Sequence, residues 1–309
     1  MSQALLVIAG PTGVGKTATA VALAGRRPIE VVSADSRQVY RGMDVATGKP
    51  TPDERRAVPH HLVDVVDPPE RYHAARFATE ARAAIESIRE RGRLPVVVGG
   101  TGLYIRALLR GLDPGIPADP DLRRELAGIA AREGRAALHA RLARVAPTAA
   151  KRLHPNDEVR VTRALELIHH GGPMATEQAR WLVPNEGGDD VLYVGLTMAR
   201  PRLAARLRAR ARTMVEAGLL DEVRGLLARG YDESMTAMHG IGYREFARVA
   251  RGELATDEAL RLLQRDTLRY AKRQWTWFAR EPGIRWVDMD EVGGPTGAAA
   301  EVERMMVSR

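Results

Sequence analysis

Ala4-Leu5-Leu6-Val7-Ile8-Ala9, then Gly10-Pro11-Thr12-Gly13-Val14-Gly15-Lys16-Thr17, then the helix-compatible run Ala18 to Ala24 decide how this chain reads. A short continuous apolar run fits a buried strand, and a glycine-rich octapeptide leading straight into a helix fits a phosphate-binding loop in its strand-turn-helix setting. Gly10, Gly13 and Gly15 let backbone N–H groups of the Gly10–Thr17 loop converge on an anion, and the helix N-terminus adds a favourable dipole. Lys16 supplies a point charge and the Thr17 hydroxyl a ligand for Mg2+. All eight residues, Pro11, Thr12 and Val14 included, are therefore expected to cradle a phosphate or diphosphate. An accidental glycine turn would not place strand, loop and helix in this order.

Composition sharpens the reading of Lys16. Of 47 basic residues in 309, only Lys16, Lys49, Lys151 and Lys272 are lysines. Such an arginine bias follows coding composition, so arginine clusters carry less weight here. Lysine at the loop position is informative, because a planar guanidinium does not replace a compact ammonium. The net charge of +8 and a pI near 10.1 favour a polyanionic partner. Cysteine is absent, which excludes disulfides, thiolate zinc sites and cysteine nucleophiles. The N-terminal apolar run is too short for a signal peptide, and no stretch of eighteen uninterrupted apolar residues occurs. A soluble, cytoplasmic protein with no membrane partner is expected.

Further apolar runs at Ile29–Ser33, Leu94–Val98, Val191–Leu196 and Ile284–Val287, with helical patterns between most of them, predict a parallel α/β sheet. The spacing predicts helices over Ala74–Arg91 and Ala298–Val307. From the turn-rich Asp113–Pro120 to about Asp190 the pattern holds only helical segments, near Asp121–Glu133, Arg135–Val145 and Asp157–His169. The expected fold is thus a P-loop core, residues 1–114 and 191–309, whose parallel sheet is flanked by helices. An all-helical insertion, 115–190, interrupts it.

Asp35, in Asp35-Ser36-Arg37-Gln38-Val39-Tyr40, follows the second strand and so faces the crevice at the carboxyl ends of the sheet. Spacing alone leaves it open between a catalytic base and an N-cap or Mg2+ ligand. Val98-Gly99-Gly100-Thr101-Gly102-Leu103-Tyr104 is a second glycine-rich strand end. Arg200 to Arg212 holds six arginines, with Arg202, Arg206 and Arg210 on one helical face: a solvated stripe or a phosphate-binding one. Arg269–Phe278 interleaves bases and aromatics as RNA-binding surfaces do, with Lys272 and Arg273 the better RNA candidates and Trp277 and Phe278 expected in the core. His60-His61 and His169-His170 lack metal-ligand spacing to a third histidine and read as structural.

Taken in order, Gly10–Thr17, Asp35–Tyr40, Pro59-His60-His61-Leu62-Val63-Asp64-Val65-Val66-Asp67-Pro68, Val98–Tyr104, His154-Pro155-Asn156-Asp157, Arg160 to Glu166, Gly240-Ile241-Gly242-Tyr243-Arg244-Glu245 and Ala271-Lys272-Arg273-Gln274 resemble the bacterial tRNA dimethylallyltransferases, or tRNA isopentenyltransferases, over about residues 4 to 288. The resemblance implies transfer of a dimethylallyl group from dimethylallyl diphosphate to the exocyclic amine of the adenine 3′ of the anticodon. Lys16 and Thr17 with Mg2+ would then clamp the leaving diphosphate, and Asp35 would accept the amine proton. Arg206 or Arg210 is implied to reach the diphosphate. The implied contacts with the tRNA anticodon stem-loop are Asp35, Ser36, Arg37, Gln38 and Thr101 at the pocket mouth, Arg123, Val159, Arg160, Val161, Thr162 and Arg163 in the insertion, and Gly240–Glu245, that is Gly240, Ile241, Gly242, Tyr243, Arg244 and Glu245. Where the family usually has Gln before Arg160, this chain has Val159, so one polar RNA contact is missing. A monomer is expected. The rivals are a small-molecule P-loop kinase holding ATP and Mg2+ at Lys16 and Thr17, and an adenylate isopentenyltransferase acting on free nucleotides.

Overall fold

The computed structural model describes residues 4–111, 119–171 and 190–308. Six strands, β1 (Ala4–Ala9), β2 (Ile29–Ala34), β3 (His60–His61), β4 (Leu94–Gly99), β5 (Asp190–Thr197) and β6 (Arg285–Asp288), form one sheet in the order β3-β2-β4-β1-β5-β6. Every pairing is parallel. Strands buried on both faces must be apolar almost throughout, and Leu5 to Ala9 of β1 are indeed buried without a break. Leu6 and Ile8 share an apolar cluster with Ala20 and Leu23 of the helix Lys16–Ala24, Leu203 and Leu207 of Arg200–Glu216, and Ala298 and Val302 of Pro295–Val307. The helix Ala74–Glu90 packs on β2 and β4.

Five strands follow the apolar runs to within a residue or two. The sixth, β3, has no apolar run: its two residues pair with Val31 and Val32, and one of them, His61, also meets a buried charge. Glu30 lies in the buried β2, and His61 Nε2 meets its carboxylate at 2.7 Å while Arg91 donates to it from Nε at 3.0 Å and Nη2 at 2.6 Å. A buried carboxylate needs such partners, and they hold its pKa below the ordinary range, the Arg91 hydrogen bond foremost. No helix among the described residues is long and apolar enough to cross a membrane.

The chain divides into two compact units, one within 1–109 and 187–309 and the other within 110–186. The second unit's described helices are Pro120–Glu133, Arg135–Val145, Pro147–Ala150 and Glu158–His169. Asp119 caps the first, accepting from the amides of Asp121 and Leu122 at 3.0 Å each. Their apolar faces meet at Leu126, Leu138, Leu142, Val161, Ala164 and Leu165. Val161 has no exposed surface, so its side chain is core and does not fit the RNA contact the family motif implies. Glu166 is also fully buried; Arg123 grips it through Nε and Nη2, both at 2.9 Å, Arg163 adds a bond of 2.6 Å, and the Asp119 amide one of 2.6 Å. Arg123 and Arg163 thus hold the unit together.

Because removing a partner leaves a buried carboxylate short of donors, Arg123→Ala should lower the stability of this unit by about 2–3 kcal/mol. Arg124→Ala, which removes only an exposed pair with Asp121, should change it by less than about 0.5 kcal/mol. Denaturant unfolding followed by fluorescence checks both. Equal losses would mean Glu166 does not need Arg123.

Candidate active site

β1, β2 and β4 run parallel, so their carboxyl ends bring the loop Gly10–Thr17, Asp35 and Gly99–Thr101 to one edge of the sheet. The loop needs glycine for two separate reasons. Gly10 has φ +147°, and a Cβ there would lie 2.6 Å from the Leu196 carbonyl oxygen of β5; Gly13, at φ +76°, is pressed against Leu207. Lys16 folds back over the loop and donates from Nζ to the carbonyl oxygens of Gly10 at 3.0 Å and Pro11 at 2.9 Å. Burial lowers its pKa to about 8; Asp35 opposes that shift and Arg210 reinforces it.

Asp35 accepts the Arg37 amide on Oδ1 at 2.8 Å. The neighbouring Ser36 amide donates to Thr101 Oγ1 at 3.0 Å, which ties the ends of β2 and β4 together. Gln38 accepts from Ser33 Oγ at 2.9 Å and donates to the Gly48 carbonyl at 3.0 Å, while Arg37 donates to the Thr236 carbonyl at 2.9 Å. Two cavities meet at this edge. One, of about 450 Å³, is lined by Gly13, Gly15, Lys16, Thr17 and Arg206; the other, of about 780 Å³, by Ser36, Arg37, Ile241, Arg244, Tyr270 and Arg273. Thr12, Asp35 and Arg210 line both.

The arginine stripe splits by rotation around its helix. Arg202 pairs with Asp290 at 2.5 Å, whereas both Arg206 and Arg210 line the smaller cavity. Arg210 is fitted into place: a Cβ on Gly48, at φ +58°, would overlap its guanidinium. In Gly240–Glu245, Ile241 and Arg244 present surface to the larger cavity. Tyr243 and Glu245, 1% and 2% exposed, form its back wall. The Tyr243 hydroxyl donates to Glu222 at 2.7 Å and Glu245 accepts the Gly242 amide at 2.7 Å, so neither side chain suits the implied RNA contact. Among the insertion residues, Val159 is 80% exposed, and Arg160 is exposed beside Asp157, 2.7 Å away. Thr162 is half-buried. Lys272 and Arg273 are exposed; Phe278 is buried as expected, whereas Trp277, also expected in the core, is half-buried.

One residue at this edge stood in a quoted motif but was given no role from the sequence. Gln274 is buried, accepts the Thr12 amide at 2.8 Å and donates to the Gly100 carbonyl at 2.8 Å. Its motif was visible, but 262 positions separate it from Thr12, and no local pattern reveals the pairing.

Two family models match the chain: one described as IPP transferase, over residues 38–281, and one described as isopentenyl transferase, over residues 3–62. The chain is 52% identical over 283 residues to a tRNA dimethylallyltransferase from Anaeromyxobacter dehalogenans, covering 92% of this chain and 94% of that protein. It is 48% identical over 290 residues to one from Syntrophobacter fumaroxidans, covering 94% and 85%. Among solved structures it is similar to the full-length tRNA isopentenylpyrophosphate transferase from Bacillus halodurans, with 40% identity, TM-score 0.68 and coverage of 98% and 99%. It is also similar to a eukaryotic dimethylallyltransferase acting on tRNA, with 31% identity, TM-score 0.77 and coverage of 93% and 74%.

Proposed function

The chain belongs to the IPP transferase family, and from that premise we propose that it transfers a dimethylallyl group from dimethylallyl diphosphate to N6 of the adenine 3′ of the anticodon in tRNA, releasing diphosphate. The observation that carries this reading is that Asp35 lines both cavities, one with the phosphate loop at its wall and one walled by arginines. The donor's diphosphate occupies the smaller cavity and the extruded adenine enters from the larger. Breaking the allylic C–O bond builds negative charge on the departing diphosphate, and preorganised donors aimed at that charge lower the barrier. Lys16, the amides of Gly13 and of Gly15 to Thr17, Arg206 and Arg210 supply them. Asp35 takes the proton that the exocyclic amine loses as the C–N bond forms.

Mg2+ fits this set. Thr17, whose hydroxyl lines the donor cavity, would hold the ion, which would complete its shell with waters and substrate phosphates. Bound at Thr17, it would neutralise part of the diphosphate charge.

Extruding the adenine costs a few kcal/mol of stacking, which phosphate contacts elsewhere must offset. In the insertion Arg160 is suited to that task, since Arg163 is engaged with Glu166. Arg160→Ala should weaken tRNA binding several-fold and reduce the slope of log affinity against log salt by about 1, with the donor KM unchanged. An unaltered slope would take Arg160 out of the RNA interface. The reading as a whole is tested by incubating the protein with total tRNA and labelled dimethylallyl diphosphate, with labelled ATP as the alternative donor. Label in tRNA only from the prenyl donor supports it. Phosphoryl transfer from ATP, or prenylation of free adenine nucleotides but not of tRNA, would replace it with one of the two rivals.

A further inference from the structure

We propose that Gln274 is a positioning residue that sets the spacing between the diphosphate cradle and the base pocket. The inference rests on the reaction proposed above. Gln274 comes from the long helix Thr256–Phe278 and is 5% exposed, and both ends of its amide are engaged. Its carbonyl oxygen holds the Thr12 amide, at the entry turn of the phosphate loop, and its Nε2 holds the Gly100 carbonyl, at the end of β4. One residue further on, Thr101 Oγ1 holds the Ser36 amide beside Asp35. A single amide therefore links the loop that grips the leaving group to the strand end that places the base.

Two features show that the link is built for this amide. A Cβ on Gly100 would overlap Gln274 Nε2, so the strand end carries glycine where the amide passes. The two bonds also demand one acceptor and one donor at fixed positions, which a carboxylate or an aliphatic chain of the same length does not offer. Engaging the Thr12 amide takes it out of the set that faces the diphosphate, as the bond from the Val14 amide to the Pro11 carbonyl does for Val14. Thr12 itself lines both cavities, so movement of its turn changes the distance between donor carbon and acceptor nitrogen. A misplacement of about 1 Å at such a junction can cost about 100-fold in rate without a matching loss of binding.

The test uses Gln274→Met, which keeps the length and removes both bonds, and Gln274→Glu, which keeps an acceptor for Thr12 but sets a carboxylate against the Gly100 carbonyl. Rates are taken at saturating tRNA and dimethylallyl diphosphate and normalised to titrated diphosphate-binding sites, so that misfolded protein does not count. For Gln274→Met, kcat should fall about 10–100-fold while KM for either substrate stays within about threefold. Gln274→Glu should recover relative to wild type as pH falls from 8 to 6, because the protonated acid regains a donor for Gly100. A normalised kcat within about twofold of wild type in Gln274→Met, or a flat ratio of Gln274→Glu to wild type across that pH range, would overturn the proposal. Absence of tRNA prenylation by the wild-type protein would instead be a failure of the proposed function.

Discussion

Replacing Asp35 with asparagine is expected to slow prenyl transfer by about 10²–10⁴-fold, the usual contribution of a general base, while tRNA and donor still bind. Asparagine keeps the side chain's length and an oxygen to accept the Arg37 amide, so the turn after β2 should survive. What it loses is the group that takes the amine proton. Asparagine also removes a negative charge that now supports the Lys16 ammonium, so the Lys16 pKa should fall below its wild-type value of about 8. Donor binding in the variant should consequently begin to weaken at lower pH than in the wild type. Single-turnover rates at saturating substrates, together with tRNA and donor affinities across pH, separate the two effects. A fall in tRNA affinity as large as the fall in rate would make Asp35 a binding residue and leave the reaction without a base.

That Asp35 would sit at the junction of two cavities was only half legible in the sequence. Its place at the end of a strand follows from the run Ile29–Ser33, because in a parallel sheet the carboxyl ends form the crevice. That the crevice holds two cavities with Asp35 between them depends on which helices close it, and the helix Thr256–Phe278 arrives from more than 200 positions away. The same division runs through the rest. The phosphate loop was readable because strand, turn and helix are contiguous and each has its own local signature. β3 was not, since two histidines carry no strand pattern of their own, and their pairing with Val31 and Val32 and the His61 contact with Glu30 are made across about thirty positions. The i, i+4 spacing of Arg202, Arg206 and Arg210 gave their shared face, but Asp290, contributed from beyond β6, decides that Arg202 turns aside. Val161 is the opposite case: with Ala164 and Leu165 it marks the apolar face of its helix, a local signal that outweighs the family motif lying across it.

Lys16→Ala is expected to reduce turnover by about 10²–10³-fold, the effect of removing one preorganised donor from a developing anion, and to weaken donor binding as well. Its pH signature is the more specific part. Buried mainly away from water, Lys16 titrates near 8 where an ordinary lysine titrates at 10.5, so between those values the unfolded chain carries a proton that the folded chain lacks. Stability attributable to this group therefore rises with pH across that window and is constant below it. Donor binding has the opposite slope. The diphosphate favours the ammonium, so above pH 8 each binding event must take up a proton, and affinity should fall by as much as tenfold per pH unit. In Lys16→Ala that contribution disappears, and the ratio of wild-type to variant affinity cancels the ligand's own ionisation. Calorimetric titration with dimethylallyl diphosphate from pH 7 to 9.5, in buffers of differing ionisation enthalpy, measures both the affinity ratio and the proton uptake. A ratio that stays flat through pH 8 would show that the Lys16 ammonium is not the charge that holds the diphosphate, and Arg206 and Arg210 would have to carry it.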